Sequence, residues 1–275
     1  MSDPEQPSDY PSTAPEGFQP PPPPPMPEQP TGPQMSVGET LTGIFFEPGK
    51  TFESLRARPR FLIAALLCTI FVVAFFVVFY QRVGFERVMR EAVESSSQAD
   101  QLSAAQKEEQ VRIQSLPIVK AITYVSPAIV MAISFALGGA LYLLGSAMMG
   151  GRMGYKQAIA VWVYSSLPPT ALVMLLNIIL LFIRSPDDYD IIGASRRGLV
   201  QANLSFLVDA KAAPVLATLL GSFDVFTFYG LFLGALGLRL VGKLSSGSAW
   251  GIVIAIWLVS VVLRIGFAVL LGSAM

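Results

Sequence analysis

The sequence predicts an all-α, polytopic transmembrane bundle of five spans, preceded by a disordered proline-rich tail. Three observations carry that reading. Five stretches, 61–80, 121–151, 157–183, 212–238 and 244–275, are long and apolar; the first three carry no charge, the fourth only Asp224 and the fifth only Arg264. Of 275 residues, 53% are hydrophobic and 14% charged, where a soluble domain carries about 25% charged residues. A crossing needs about 20 mostly apolar residues, and backbone groups in hydrocarbon must satisfy one another, which selects helices. The spans are placed at about 61–80, 121–149, 158–183, 214–239 and 250–272 within a membrane domain of residues 61–275.

The elements follow in chain order. Residues 1–38 hold thirteen prolines, including the run Pro20 to Pro25, and acidic residues without a Lys or Arg. Such a segment cannot bury a core and takes polyproline II character. It serves either to dock protein partners with aromatic grooves or as a solvated tail without a partner. Residues 39–60 form a juxtamembrane interfacial segment. Leu41, Ile44, Phe45 and Phe46 precede Pro48, and Lys50, Arg56, Arg58 and Arg60 follow, placing aromatics at the headgroups and cations on an anionic leaflet. No cleavable signal peptide is visible, so the first span serves as the insertion signal.

Residues 81–120 predict two short helices outside the bilayer, broken near Ser95 to Ser97. Glu86 with Arg90 and Arg87 with Glu91 have i,i+4 spacing, and Ser103 followed by Gln106 has the capping-box pattern. A short polar turn at 152–156 carries Arg152 and Lys156, and the loop 184–211 contains a segment, GLVQANLSFLVD, suited to a short interfacial helix. With the N-terminus inside, the inner flanks carry net +6 while the outer loops balance to zero. The bias of Lys and Arg toward the cytoplasm then places the N-terminus there and the C-terminus outside.

Composition narrows the chemistry. There is no His and a single Cys, Cys68, so imidazole or thiolate metal centres, Ser-His or Cys-His nucleophile pairs and an intrachain disulfide are excluded. Cys68 reads as a small hydrophobe. The spans hold no carboxylate dyad, so the chain does not read as an enzyme and calls for no cofactor. Zero net charge gives no case for nucleic acid.

The residues that draw notice lie within the spans. An ionisable group there costs about 2.5–3.5 kcal/mol on the insertion scale. Counted from the outer surface at 1.5 Å per residue, Asp224 lies about 15 Å down, Arg264 about 12 Å and Asn177 about 9 Å. The matching depths predict an Asp224–Arg264 ion pair with Asn177 nearby, serving either as a lock between helices or as a polar site for a proton, ion or lipid headgroup. Gly230 and Gly234 form a GxxxG, and Ala136 with Ala140 offers a similar face; such spacing serves packing within the chain or homo-oligomerisation. Pro168 and Pro169 remove backbone donors from the third span and predict a kink.

Several segments resemble the Yip-domain family of five-pass membrane proteins. FFEPGKTFESLRARPRFL, marked by Pro48 and Phe52, resembles the stretch before that family's first span. GYKQAIAVWVYSSLPP resembles its GY…YS..P stretch, through Gly154, Tyr155, Tyr164, Ser165 and Pro168. SFDVFTFYGLFLGALGLRLV resembles its fourth span, with Asp224 at the acidic position. The likeness covers residues 44–270. The acidic DLYGP motif of eukaryotic members, which interact with Rab GTPases, is absent, so the likeness is to the prokaryotic branch. The resemblance implies five spans, a lipid bilayer as surroundings and no catalytic residues. Two functions are carried forward: a non-enzymatic scaffold that organises membrane or recruits partners, and a transporter or channel using Asp224, Arg264 and Asn177.

Overall fold

The computed structural model describes residues 35–271 apart from Ser97 and Lys211. The predicted proline-rich tail therefore lies almost wholly outside the described residues. Its predicted border at residue 38 moves slightly, because a helix, α1 (Val37–Phe46), already begins there with a complete capping box from Ser36 and Glu39. The cap's backbone hydrogen bond to the Glu39 carboxylate holds that group below the usual carboxylate range.

Among the described residues the fold is helical throughout. After α1 come α2 (Pro48–Ala57), α3 (Leu62–Val83), α4 (Phe85–Glu94), α5 (Ala104–Gln114), α6 (Pro117–Met148), α7 (Tyr155–Ile183), α8 (Ile191–Arg197), α9 (Pro214–Gly221), α10 (Val225–Val241) and α11 (Ser246–Leu271). Four of these, α3, α6, α7 and α11, are long and apolar enough to cross a membrane. Their outward faces are apolar: Ile118 and Val262 are each 67% exposed, and Leu62 is 73% exposed. Apolar surface on this scale suits lipid rather than water.

The helices α3, α6, α7, α10 and α11 alternate in direction. At one end, the α6–α7 turn meets the end of α10, where the Arg152 amide donates to the Gly242 carbonyl at 3.2 Å. At the other end, Arg82 of α3 donates to the Leu181 carbonyl of α7 at 3.2 Å. Gly237 of α10 faces Val161 near the start of α7, and Gly230 faces Pro169 further along it, so α10 runs antiparallel to α7. At 17 residues, α10 reaches about 25 Å at 1.5 Å per residue.

Four expectations need correction. First, the fourth predicted span, 214–239, is not one helix. It breaks at Ser222 to Asp224, between α9 and α10. The excursion from 203 to 224 closes on itself, through an antiparallel bridge between Asn203 and Asp224 and a 3.1 Å bond from the Val225 amide to the Ala202 carbonyl. The cause is Asp224. As N-cap of α10 its carboxylate accepts from the Phe226 amide at 2.9 Å and the Thr227 amide at 3.2 Å. Asp at an N-cap stabilises a helix, whereas a mid-span carboxylate is costly.

Second, residues 39–60 do not merely lie at the interface. They form the α1–α2 pair, and Ile44, Phe52 and Leu55 are buried in the same core as α7 and α10. Third, the i,i+4 ion pairs of the polar loop are replaced by longer-range ones. Arg87 pairs with Asp187 at 2.6 Å and Arg90 with Glu108 of α5 at 2.9 Å, because α4 packs on both α5 and α8, which brings carboxylates of other segments closer. Fourth, the second span starts at Pro117 rather than 121 and includes Lys120, which lies 5.2 Å from the Phe85 ring centroid. At 32 residues, α6 is about 48 Å long against a hydrocarbon core of about 30 Å. Its first turns therefore project to meet the α4–α5 cap. The Ser103–Gln106 capping box is present as the spacing predicts.

A cleft with a cationic rim as candidate functional site

The site grows from how α7, α10 and α11 meet. α11 packs on α10, α9 and α6. The space between α11 and α7 is left as an open cleft of about 830 Å³, backed by α10. Side chains of one helical face of α11 line it at Val253, Trp257, Ser260 and Arg264, spaced four, three and four apart, as 3.6 residues per turn requires. That face therefore grades from apolar near the α6–α7 turn to cationic at the far end. The floor is closed by Tyr142 and Trp162, whose rings meet edge to face at 4.8 Å. A Cβ on Gly234 would collide with the Tyr142 hydroxyl, so only glycine admits that ring. Trp257 extends the apolar wall, with Phe223 at 5.5 Å and Phe228 at 5.9 Å between ring centroids.

The rim is polar. Arg196 and Arg197, at the end of α8, join Arg264, Asn203, Ser205 and Asp224 there. Asp224 and Arg264 thus share the cleft, but the predicted ion pair between them is not among the ion pairs of the described residues. The Asp224 carboxylate is engaged with its own helix, and its second oxygen accepts from Asn203 Nδ2 at 3.4 Å. Arg197 reaches Asp190 at 3.9 Å. A smaller cavity of about 460 Å³ adjoins and shares Arg197, Asn203 and Ser205. Near it the Tyr189 hydroxyl is buried without a hydrogen-bond partner, and burial raises its pKa.

Asn177 stands apart from the cleft. It is fully buried, its Oδ1 accepts from the amides of Leu199 and of Val200, the latter at 2.9 Å, and its Nδ2 donates to the Val173 carbonyl at 2.9 Å. It clamps the loop that follows α8 onto α7. Gly198 makes this approach feasible: its φ is +80°, and a Cβ there would sit 2.7 Å from Asn177 Oδ1. The rim arginines at 196 and 197 precede that clamped loop, so Asn177 positions the rim from outside it.

Other predicted packing residues fall in two groups. Gly230 has Pro169 and the Ser165 carbonyl at van der Waals distance. Ala136 and Ala140 are exposed; the close approach of α6 to α7 is made instead by Gly138 under the Trp162 ring and Gly139 against Ile159. α7 runs through Pro168 and Pro169 as one helix. The arginines at 196 and 197 were not singled out from the sequence, because they sit in a polar loop that reads as solvated.

Fold and surface together define an integral membrane protein with a helical bundle and no metal-holding cluster of His, Cys, Asp or Glu among the described residues. Residues 42–267 match the Yip1 domain, and the chain belongs to that family. No curated protein and no solved structure matches it.

Proposed function

We propose that this chain is a non-enzymatic membrane scaffold of the Yip type, of the prokaryotic branch, which holds its proline-rich N-terminal arm at the cytoplasmic face of a bacterial inner membrane to recruit protein partners. The observation that carries the reading is the docking of α1 and α2 on the bundle. Phe52 is fully buried against Gly237 and Val161, the Tyr164 hydroxyl donates to Thr40 Oγ1 at 3.1 Å, and Gln157 Nε2 donates to the Arg56 carbonyl at 2.7 Å. The α1–α2 pair is thus a fixed platform on the bundle, and a partner-binding segment in the same chain concentrates whatever it binds at the membrane.

Five crossings fit this reading, with α10 as the short fourth. The end holding the α6–α7 turn then carries Lys50, Arg56, Arg58, Arg60, Arg152, Lys156, Arg239 and Lys243, as a cytoplasmic face should. In-cell photo-crosslinking from positions within 1–60 tests the scaffold. Discrete proteins captured from 1–34 and lost on deleting that arm are expected. Capture of lipid alone, together with solute flux through reconstituted vesicles, would replace the scaffold by a transporter.

A further inference from the structure

We propose that the cleft between α7 and α11 seats an anionic glycerophospholipid, with its phosphate held by Arg197 and Arg264 and an acyl chain lying along the floor toward Trp257 and Trp162. This inference goes beyond the scaffold reading and stands whether or not the arm recruits a partner.

Charge comes first. The rim sets Arg197 and Arg264 beside a single lining carboxylate, Asp224, and that carboxylate already accepts from two amides of α10 and from Asn203. Arg264 makes no ion pair among the described residues, and Arg197 has only the 3.9 Å approach of Asp190. A guanidinium held at the edge of hydrocarbon without a counter-ion is costly. A phosphate removes that cost, because guanidinium presents paired donors matched to phosphate oxygens.

Size and polarity then choose a lipid over a free ion. A volume of about 830 Å³ is far more than a bare phosphate fills, given that a water takes about 30 Å³. Much of the excess volume is bounded by apolar side chains, among them Val253, Trp257 and Trp162, beside the hydroxyls of Ser166 and Thr170. An inorganic anion would leave that floor unfilled, whereas a molecule with a phosphate at one end and hydrocarbon at the other matches the gradient along α11. The cleft opens between two lipid-facing helices, so its ligand can enter sideways from the bilayer. Basic pockets between membrane helices bind anionic headgroups in this manner.

The test places the full chain in phosphatidylcholine nanodiscs containing a small fraction of brominated phosphatidylglycerol, or the same fraction of brominated phosphatidylcholine. Bromine on the acyl chain quenches a tryptophan it touches. Trp162 and Trp257 line the cleft, and Trp250→Phe removes the third indole. Quenching by the phosphatidylglycerol is expected at about tenfold lower mole fraction than by the phosphatidylcholine, the scale of a charge-assisted contact. Arg197→Gln with Arg264→Gln should abolish that preference, Arg264→Lys should retain only part of it because an ammonium lacks the paired donors, and millimolar inorganic phosphate should leave it unchanged. Equal quenching by the two lipids in the unmodified rim overturns the proposal. So does relief of quenching by phosphate, which assigns the cleft to a free anion, or a preference that survives in the double variant. Where the double variant fails to fold, the comparison of the two lipids on the native rim decides alone.

Discussion

A single amide side chain fixes the loop behind the cleft. Asn177 satisfies two backbone donors and uses one donor of its own, all without exposure to solvent. Its value lies less in the bonds it makes than in the groups that would be orphaned without it, since an unpaired buried donor costs about 1–3 kcal/mol. Asn177→Leu keeps the branched side-chain skeleton with bulkier ends and strands both amides, so a loss of about 3 kcal/mol or more is expected, read as a lowered midpoint in unfolding of the purified protein in micelles. Ser260→Ala, which removes only a local bond to the Trp257 carbonyl, should change stability by about 0.5 kcal/mol or less. An Asn177 variant as stable as the Ser260 one would remove the clamp from the account. The sequence marked Asn177 as a buried polar group but not its partners, because amides of Leu199 and Val200 lie 22 and 23 residues away and no periodicity links a helix to a loop that distant. Asp224 was legible in the same partial way. Its residue type announces an N-cap as readily as an intramembrane charge, and only the closure of the chain from 203 to 224 decides between them.

Helices that dock through glycine make the next level of organisation. α2 meets α10 where Gly237 leaves a gap, and a Cβ at that position would lie 2.6 Å from Val161 and 2.9 Å from Phe52. Gly237→Leu therefore cannot be absorbed by a side-chain shift alone. The Phe52 ring must leave, and α2 with it, since overpacking of this kind typically costs about 1–3 kcal/mol. The expected readout is new tryptic cleavage at Lys50 or Arg56 in the folded, membrane-embedded protein, while cleavage within the α4–α5 cap stays as it was. Unchanged protection at both sites would mean that α2 is not held by Gly237. The apolar cluster and basic residues of 39–60 marked an interfacial segment without its two helices, and the capping pattern at Ser103 gave the start of α5. What it concealed was burial: an amphipathic segment beside basic residues looks the same whether its apolar face meets lipid or a glycine on another helix. The same limit hides the pairing of Arg87 with Asp187, one hundred residues away.

Over the whole molecule, lipid rather than a large core decides which way each helix faces. The long helices bury only part of their apolar surface and leave the rest outward, so their hydropathy was easy to read from the sequence, whereas their mutual rotation was not. The alternation of α3, α6, α7, α10 and α11 brings the basic flanks of the chain to one end, and this yields a topological expectation with α10 as its weak point, because at 17 residues it is the shortest of the five. Cys68 is fully buried, so the native thiol gives little background to a membrane-impermeant maleimide. Single variants Gly49→Cys and Gly150→Cys should label only after the cytoplasmic side is opened, and Ser103→Cys and Ser185→Cys should label in intact cells. Ser245→Cys, in the turn between α10 and α11, is decisive. If α10 crosses, Ser245→Cys behaves like Gly49→Cys; if the chain between α7 and α11 stays on one side, it labels in intact cells like Ser185→Cys. The second outcome would also place Arg264 at the opposite leaflet from the α8 arginines, and the cleft could not then bring them to one phosphate.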